Sequence, residues 1–326
     1  MADIRYNWTK QEILDIYNLP LLELVHRAGL VHREHHDPLE VQVSSLLSIK
    51  TGGCVEDCAY CPQAARYHTD VEVHKLLPLS EVIEAAKNAK KGGASRFCMG
   101  AAWREVRDNS DFDKVLEMVR EVNALNMEVC CTLGMLTEEQ ARKLDEAGVY
   151  AYNHNIDTSE EHYSDIITTR TYGDRLDTIK NIRKTRMTVC SGGIIGMGES
   201  VEDRIGMLIT LARMKPQPES VPINALVPIE GTPLADQPTV SSWEMIRMVA
   251  TTRIVLPEAA VRLSAGRGQM SKEAQAMCFM SGANSIFAGD KLLTTPNPEF
   301  NEDMQLFQDL GIRAKQPVAR NVAVEA

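Results

Sequence analysis

Val41-Gln-Val-Ser-Ser-Leu-Leu-Ser-Ile49 runs through a glycine turn, Gly52-Gly53, straight into Cys54-Val-Glu-Asp-Cys58-Ala-Tyr60-Cys61. A β-rich run that ends in a loop carrying chemistry is the front half of a βα unit. The same alternation continues outward from it. Further strands are expected at Ala94–Gly100, Met127–Leu133, Val149–Ile156, Met187–Ile195, Ser220–Leu226, Ala260–Ala265 and Asn284–Ala288, each followed by an amphipathic helical stretch. Capping boxes at Thr137-Glu-Glu-Gln140 and Ser241-Ser-Trp-Glu244, and glycine stops at Gly92-Gly93 and Gly148, punctuate the pattern. Eight such units predict an α/β fold, a closed (β/α)8 TIM-type barrel spanning 39–315. Residues 1–38 read as an N-terminal helical extension opened by Thr9-Lys-Gln-Glu12, and 316–326 as a disordered tail.

The chain has 326 residues, 44% of them hydrophobic, and a formal charge of −10. That length suits one barrel with terminal additions. The acidic balance, with no long basic run, argues against nucleic acid or an anionic membrane surface as partner. No run approaches the ~20 apolar residues of a membrane span, and Met1-Ala-Asp-Ile-Arg-Tyr-Asn-Trp8 lacks the apolar core of a signal peptide. A cytoplasmic enzyme with reduced thiols acting on a small molecule is the expectation.

Three cysteines in one tight loop point to a metal or cluster site. Structural zinc takes four protein ligands, whereas a cubane held by Cys54, Cys58 and Cys61 would keep one iron open for chemistry; an incidental thiol cluster is the competing reading. In a barrel, that loop lies at the catalytic mouth. On the fourth strand, parity puts Asn153, Asn155 and Asp157 on one face, which suggests a wet or ligand-filled cavity unless loop backbone satisfies them. Cys98, Cys130 and Cys190 fall within the second, third and fifth strands and Arg262 within the seventh, so the barrel interior could gather all four. Taken singly, each cysteine is as readily a small buried hydrophobe, and Arg262 reads as an anion binder. Gly192-Gly193-Ile-Ile-Gly196-Met-Gly198 suggests a tight turn with close backbone approach to a cofactor or within the fold. Cys131 should face away from Cys130, and Cys278 should pack in a helix. His32, His35 and His36 read as a solvent-exposed patch at a helix end.

The C-x3-C-x-aromatic-C loop resembles that of the radical S-adenosylmethionine (SAM) enzymes. Cys98-Met-Gly-Ala-Ala-Trp103, Tyr152-Asn-His-Asn-Ile-Asp-Thr158, Val189-Cys-Ser-Gly-Gly193, Ser220-Val-Pro-Ile-Asn224, Arg262-Leu-Ser-Ala-Gly266, Met277-Cys-Phe-Met-Ser-Gly-Ala-Asn284 and Leu292-Leu-Thr-Thr-Pro-Asn-Pro298 resemble the biotin synthase family within that superfamily. The resemblance runs from about Tyr6 to Gly311. It implies a sulfur insertion into dethiobiotin at two unactivated C–H carbons. It implies a [4Fe-4S] cluster on Cys54, Cys58 and Cys61, and an inner [2Fe-2S] cluster on Cys98, Cys130, Cys190 and Arg262 that donates the sulfur. Tyr60, Asn155, Asp157, Arg175, Gly192 and Gly193 would then contact SAM. Asn153, Asn155 and Asn224 would address the ureido ring, and Thr294 and Thr295 the substrate carboxylate. The family further implies a flavodoxin-like electron donor and a homodimer. A related radical SAM enzyme with another outcome, or a non-enzymatic cluster scaffold, would be the rival assignments.

Overall fold

The computed structural model describes residues 4–289, 291–292, 294–298 and 300–317; the expected tail from residue 318 onward and the side chain of Thr295 lie outside the described residues. Nine short parallel strands build the barrel: β1 (Glu40–Lys50), β2 (Arg96–Ala101), β3 (Glu128–Thr132), β4 (Ala151–Asn153), β5 (Thr188–Cys190), β6 (Gly193–Ile195), β7 (Ser220–Ala225), β8 (Ala260–Leu263) and β9 (Ser285–Phe287). The order β1-β2-β3-β4-β5-β7-β8-β9 closes where β9 pairs with β1, and β6 pairs with β7. β5 and β6 are the halves of the single fifth strand expected from the sequence, so the closed barrel has eight staves. After β9 come a hairpin of β10 (Lys291–Leu292) and β11 (Thr295–Pro296), and β12 (Arg313–Ala314), which extends the sheet at the start of β1.

The break between β5 and β6 has a steric cause. A Cβ on Gly192 would sit 2.1 Å from the Pro222 carbonyl oxygen and one on Gly193 2.3 Å from that of Asp157. The chain is therefore pinched against β7 and the end of the fourth stave, and regular pairing lapses for two residues. β4 stops at Asn153, earlier than expected, because the chain turns out of extended conformation and reaches a left-handed Asp157, φ 68°.

Alternation does the sorting across the sheet. Phe97, Met99, Val129, Cys131, Tyr152, Val189, Val221, Val261 and Ile286 point outward and are buried against the helical ring. Truncating one of the larger of these to alanine costs about 3–5 kcal/mol, because the rigid layers cannot close the void. Cys98, Cys130 and Ala151 form a separate inner cluster. Two N-terminal helices, α1 (Lys10–Tyr17) and α2 (Leu21–His35), lie outside. Thr9 and Glu12 form the expected capping box, and Leu24 and Ala28 pack against Ala250 of the helix Ser242–Val255. That helix departs from expectation at its start: Ser241 caps it through the Trp243 N–H, while Glu244 accepts from Tyr17 Oη and Arg204. The histidine patch is also corrected. His32 is buried and His36 Nε2 lies 2.9 Å from Arg253 Nη1, so these rings brace α2 to the barrel; burial pushes them down to about 3 and about 4.

Candidate active site

The loop after β1 is sewn to the segment at 166–170. Asp57, buried between two of the loop cysteines, accepts from Thr168 N at 2.9 Å, Thr169 N at 3.2 Å, Thr169 Oγ1 at 2.9 Å, Arg66 Nη1 at 3.3 Å and Thr168 Oγ1. The Ala59 N–H donates to the Ile166 carbonyl, and Cys54 and Ala65 pair with Gln63 and Cys54 within the loop. Burial would raise the Asp57 carboxyl, but the hydrogen bonds from Thr168 and Thr169 hold it down at about 2. A carboxylate so fully engaged works as a clasp for the loop.

The clasp turns Cys54, Cys58 and Cys61 toward a cavity of about 330 Å³ that descends into the barrel. Burial pushes the free thiol of Cys58 up to about 11, against the pull of Arg170 and Arg175, and that of Cys61 up to about 12. Metal loading must therefore expel protons that the protein holds firmly. Arg170 Nη2 stands 3.8 Å from Cys58 Sγ, a compensating cation for a thiolate.

Deeper in the same cavity, register brings the strand cysteines together. Cys98 pairs with Cys130, Asn153 with Cys190, and Arg262 lies across from Ser285. Cys98, Cys130 and Arg262 line the cavity. Arg262 Nη1 donates toward Cys190 Sγ at 3.6 Å and its Nε to Ser285 Oγ at 2.9 Å. Interaction with Cys98, then burial, raises the Cys130 thiol well above its ordinary value. Among the described residues, no three His, Cys, Asp or Glu side chains converge on a point that one metal ion would fill. A structural zinc takes four protein ligands, whereas a cubane puts each of three thiolates on its own iron and a [2Fe-2S] group puts two protein ligands on each iron. Two sets of soft donors, three thiols each, the inner one beside Arg262, are donor chemistry that fits iron–sulfur groups.

Between the two sets stand the polar candidates. Asn153, Asn155 and Asp157 all line the cavity although only Asn153 is in a strand. Asn153 Nδ2 donates to Asn155 Oδ1 at 3.1 Å and toward Cys190 Sγ at 3.3 Å. Asp157 forms a buried ion pair with Arg175, whose Nε donates to Tyr163 Oη at 3.0 Å. Burial alone would weaken the charge on Arg175, but the Asp157 carboxylate beside it raises its proton affinity above the ordinary value. Tyr60 and Thr294 also face the cavity. Asn224 does so with its amide already engaged, donating to Gly193 O at 2.9 Å and accepting from Ala265 N at 3.2 Å. Gly192 and Gly193 approach the Pro222 and Asp157 carbonyls closely. Sequence reasoning missed Glu56, Trp103, Arg170 and Phe287, which line it too. Arg170 sits in a short connection without periodicity, where nothing local marks it. Cys131 is buried on the outer face and Cys278 within a helix, apart from the site.

Residues 48–211 match the radical SAM superfamily and residues 222–313 the biotin and thiamin synthesis associated domain. The chain is 67% identical to the biotin synthase of Cytophaga hutchinsonii, over 97% of this chain and 94% of that one. It is 58% identical to the biotin synthase of Nostoc punctiforme, over 99% and 98% of the two chains. Among solved structures it resembles methylornithine synthase, at TM-score 0.80 and 18% identity over 96% and 95% of the chains. It also resembles the [FeFe]-hydrogenase maturase HydG, at TM-score 0.81 and 18% identity over 95% and 73%. These two likenesses speak to the barrel alone.

Proposed function

The chain belongs to the biotin synthase family of radical SAM enzymes, and on that premise we propose that it closes the thiophane ring of biotin by inserting sulfur into dethiobiotin. One observation carries the reading: Cys98, Cys130 and Arg262 line the inner cavity, with Cys190 Sγ 3.6 Å from Arg262 Nη1, beneath a mouth lined by Cys54, Cys58 and Cys61. When bound, a [4Fe-4S] group on the loop cysteines with SAM supplies a hydrogen-abstracting radical, and a [2Fe-2S] group on the inner set supplies sulfide.

The chain's own residues then have distinct tasks. Asp157 and Arg175, fixed against each other and against Tyr163, present a carboxylate and a guanidinium toward the ribose and carboxylate of SAM. Tyr60 flanks the same space. Asn153 and Asn155 offer amide groups to a ureido ring, which both donates and accepts hydrogen bonds. Asn224, steadied by Gly193 and Ala265, keeps a second N–H and a second oxygen lone pair for the same ring. Thr294, which lines the cavity, would with its neighbour Thr295 receive the substrate carboxylate. Leu46, Ala101, Ile194, Pro222 and Phe287 give the cavity apolar walls that keep out water and stray hydrogen donors.

The same reading expects a flavodoxin-like electron donor and a homodimer, carried by family resemblance, and a cytoplasmic location, expected from the sequence. No helix among the described residues is long and apolar enough to cross a membrane. Anaerobic reconstitution followed by iron and sulfide analysis, and mass spectrometry of products from SAM and dethiobiotin, tests the assignment. Biotin and 5′-deoxyadenosine are expected; deoxyadenosine without biotin would point to another radical SAM reaction.

A further inference from the structure

Below the inner cysteines the barrel has a charged floor that the proposed reaction does not call for. Arg96 and Glu128 precede Cys98 and Cys130 by two residues each, so parity sets them on the same inward face one layer down, and register pairs them directly. Their side chains are only 5% and 3% exposed. Arg96 Nε donates to Glu128 Oε2 at 2.8 Å, and Nη2 lies 2.8 Å from the same oxygen in an ion pair. A buried ion pair of this kind is no better for stability than a well-packed apolar pair, so its presence asks for another reason. Arg96 Nη1 is buried without a hydrogen-bond partner, and an unmade donor in such a place is costly. Register and parity place the guanidinium one layer below Cys98 and Cys130.

The floor also reaches Arg262. Gln42 Nε2 donates to Glu128 Oε2 at 3.1 Å, and Gln42 Oε1 accepts from Arg262 Nη2 at 3.2 Å and Ser285 Oγ at 3.3 Å. Glu128 and Gln42 therefore link the two buried arginines, one a layer below Cys98 and Cys130 and the other beside Cys190.

We propose that Arg96, Glu128 and Gln42 are positioning residues of the inner site: Glu128 holds Arg96 so that its free Nη1–H donates to sulfur, and Gln42 holds Arg262 in place. The inference rests on the reading that Cys98, Cys130 and Cys190 hold a [2Fe-2S] group. A donor to sulfur favours the more reduced, more negative state, so it raises the reduction potential and slows loss of the group.

The test uses the anaerobically reconstituted full chain and its Arg96→Met and Arg96→Lys variants. Spectroelectrochemistry reads the inner-cluster potential, chelator-driven bleaching reads retention, and thermal unfolding of the metal-free protein reads the fold. Arg96→Met is expected to shift the potential negative and bleach about tenfold faster, with Arg96→Lys shifted in the same direction but less. An Arg96→Met protein with unchanged potential and bleaching, whether or not its metal-free form melts earlier, overturns the proposal. Should that variant fail to fold, Gln42→Leu, at a partly exposed position, decides through Arg262: faster bleaching supports the floor's role and unchanged bleaching overturns it. Absence of any [2Fe-2S] absorption in the unaltered protein would instead overturn the reading of the inner site itself.

Discussion

The cysteines at the mouth ride on a loop, and those inside ride on strands, and the two sets are held in place by different forces. Cys54, Cys58 and Cys61 owe their position to discrete hydrogen bonds, above all those received by Asp57 from Thr168 and Thr169. Cys98, Cys130 and Cys190 owe theirs to register, with each strand locked to its neighbours along the barrel. A loop can be loosened by one side chain, whereas a register cannot slip without turning every residue of the strand to the other face. The mouth is thus adjustable and the floor fixed, which suits the proposed reaction, with SAM entering above a sulfur source that stays still.

The sharpest way to break this division is to remove single thiols. Cys54→Ala, Cys58→Ala and Cys61→Ala are each expected to abolish reductive SAM cleavage, measured as 5′-deoxyadenosine formed under strong reductant. Cys98→Ala and Cys190→Ala should keep slow SAM cleavage while forming no biotin. Loss of cleavage in the inner variants equal to that in the loop variants would erase the distinction.

A smaller effect probes the clasp. Asp57→Asn removes a charge that several donors share, a loss of about 2 kcal/mol at a buried charged hydrogen-bonding site, and is expected to lower [4Fe-4S] occupancy while leaving the inner group's absorption in place. Since the folded Asp57 value, about 2, lies below its ordinary 3.8, its contribution is complete above pH ~4 and fades as pH falls toward 2. The stability gap between unaltered protein and variant in acid titrations of the metal-free chain should therefore narrow over that window. A gap independent of pH there would contradict the clasp.

Arg262→Ala should be milder than loss of any inner cysteine, because three thiols remain: the [2Fe-2S] absorption should assemble and some biotin form. A variant that makes none would rank the arginine with the thiols. The smallest effect is expected at Cys131. It is buried on the outer face of β3, so Cys131→Ser should retain activity and lose about 1 kcal/mol of stability from a hydroxyl in an apolar place. Loss of inner-cluster absorption in Cys131→Ser with Cys130→Ser intact would invert the facing of that strand.

Much of this comparison was legible before any coordinates. Strand periodicity located all eight staves, and parity separated Cys130 from Cys131, since both depend only on the alternation of a pleated chain. The breaks were not legible. Gly192 and Gly193 suggested a tight turn with close backbone approach, but that the crowding carbonyls are those of Pro222 and Asp157 only folding decides. His32 and His36 looked exposed because their charged neighbours Arg33 and Glu34 are; the buried Arg253 that meets His36 lies 217 positions away. Arg170 and the Arg96–Glu128 floor were invisible for a like reason: their meaning lies in what they face across the barrel, and local pattern carries no trace of it.

The central claim is that the inner site donates the sulfur, and isotope transfer tests it most directly. The inner group is reconstituted with ³⁴S, the protein is given SAM, reductant and dethiobiotin for one turnover, and the biotin is weighed by mass spectrometry. Biotin carrying ³⁴S from the unaltered protein, and none from Cys190→Ala, is the predicted result; unlabelled biotin, or biotin from Cys190→Ala, would contradict it.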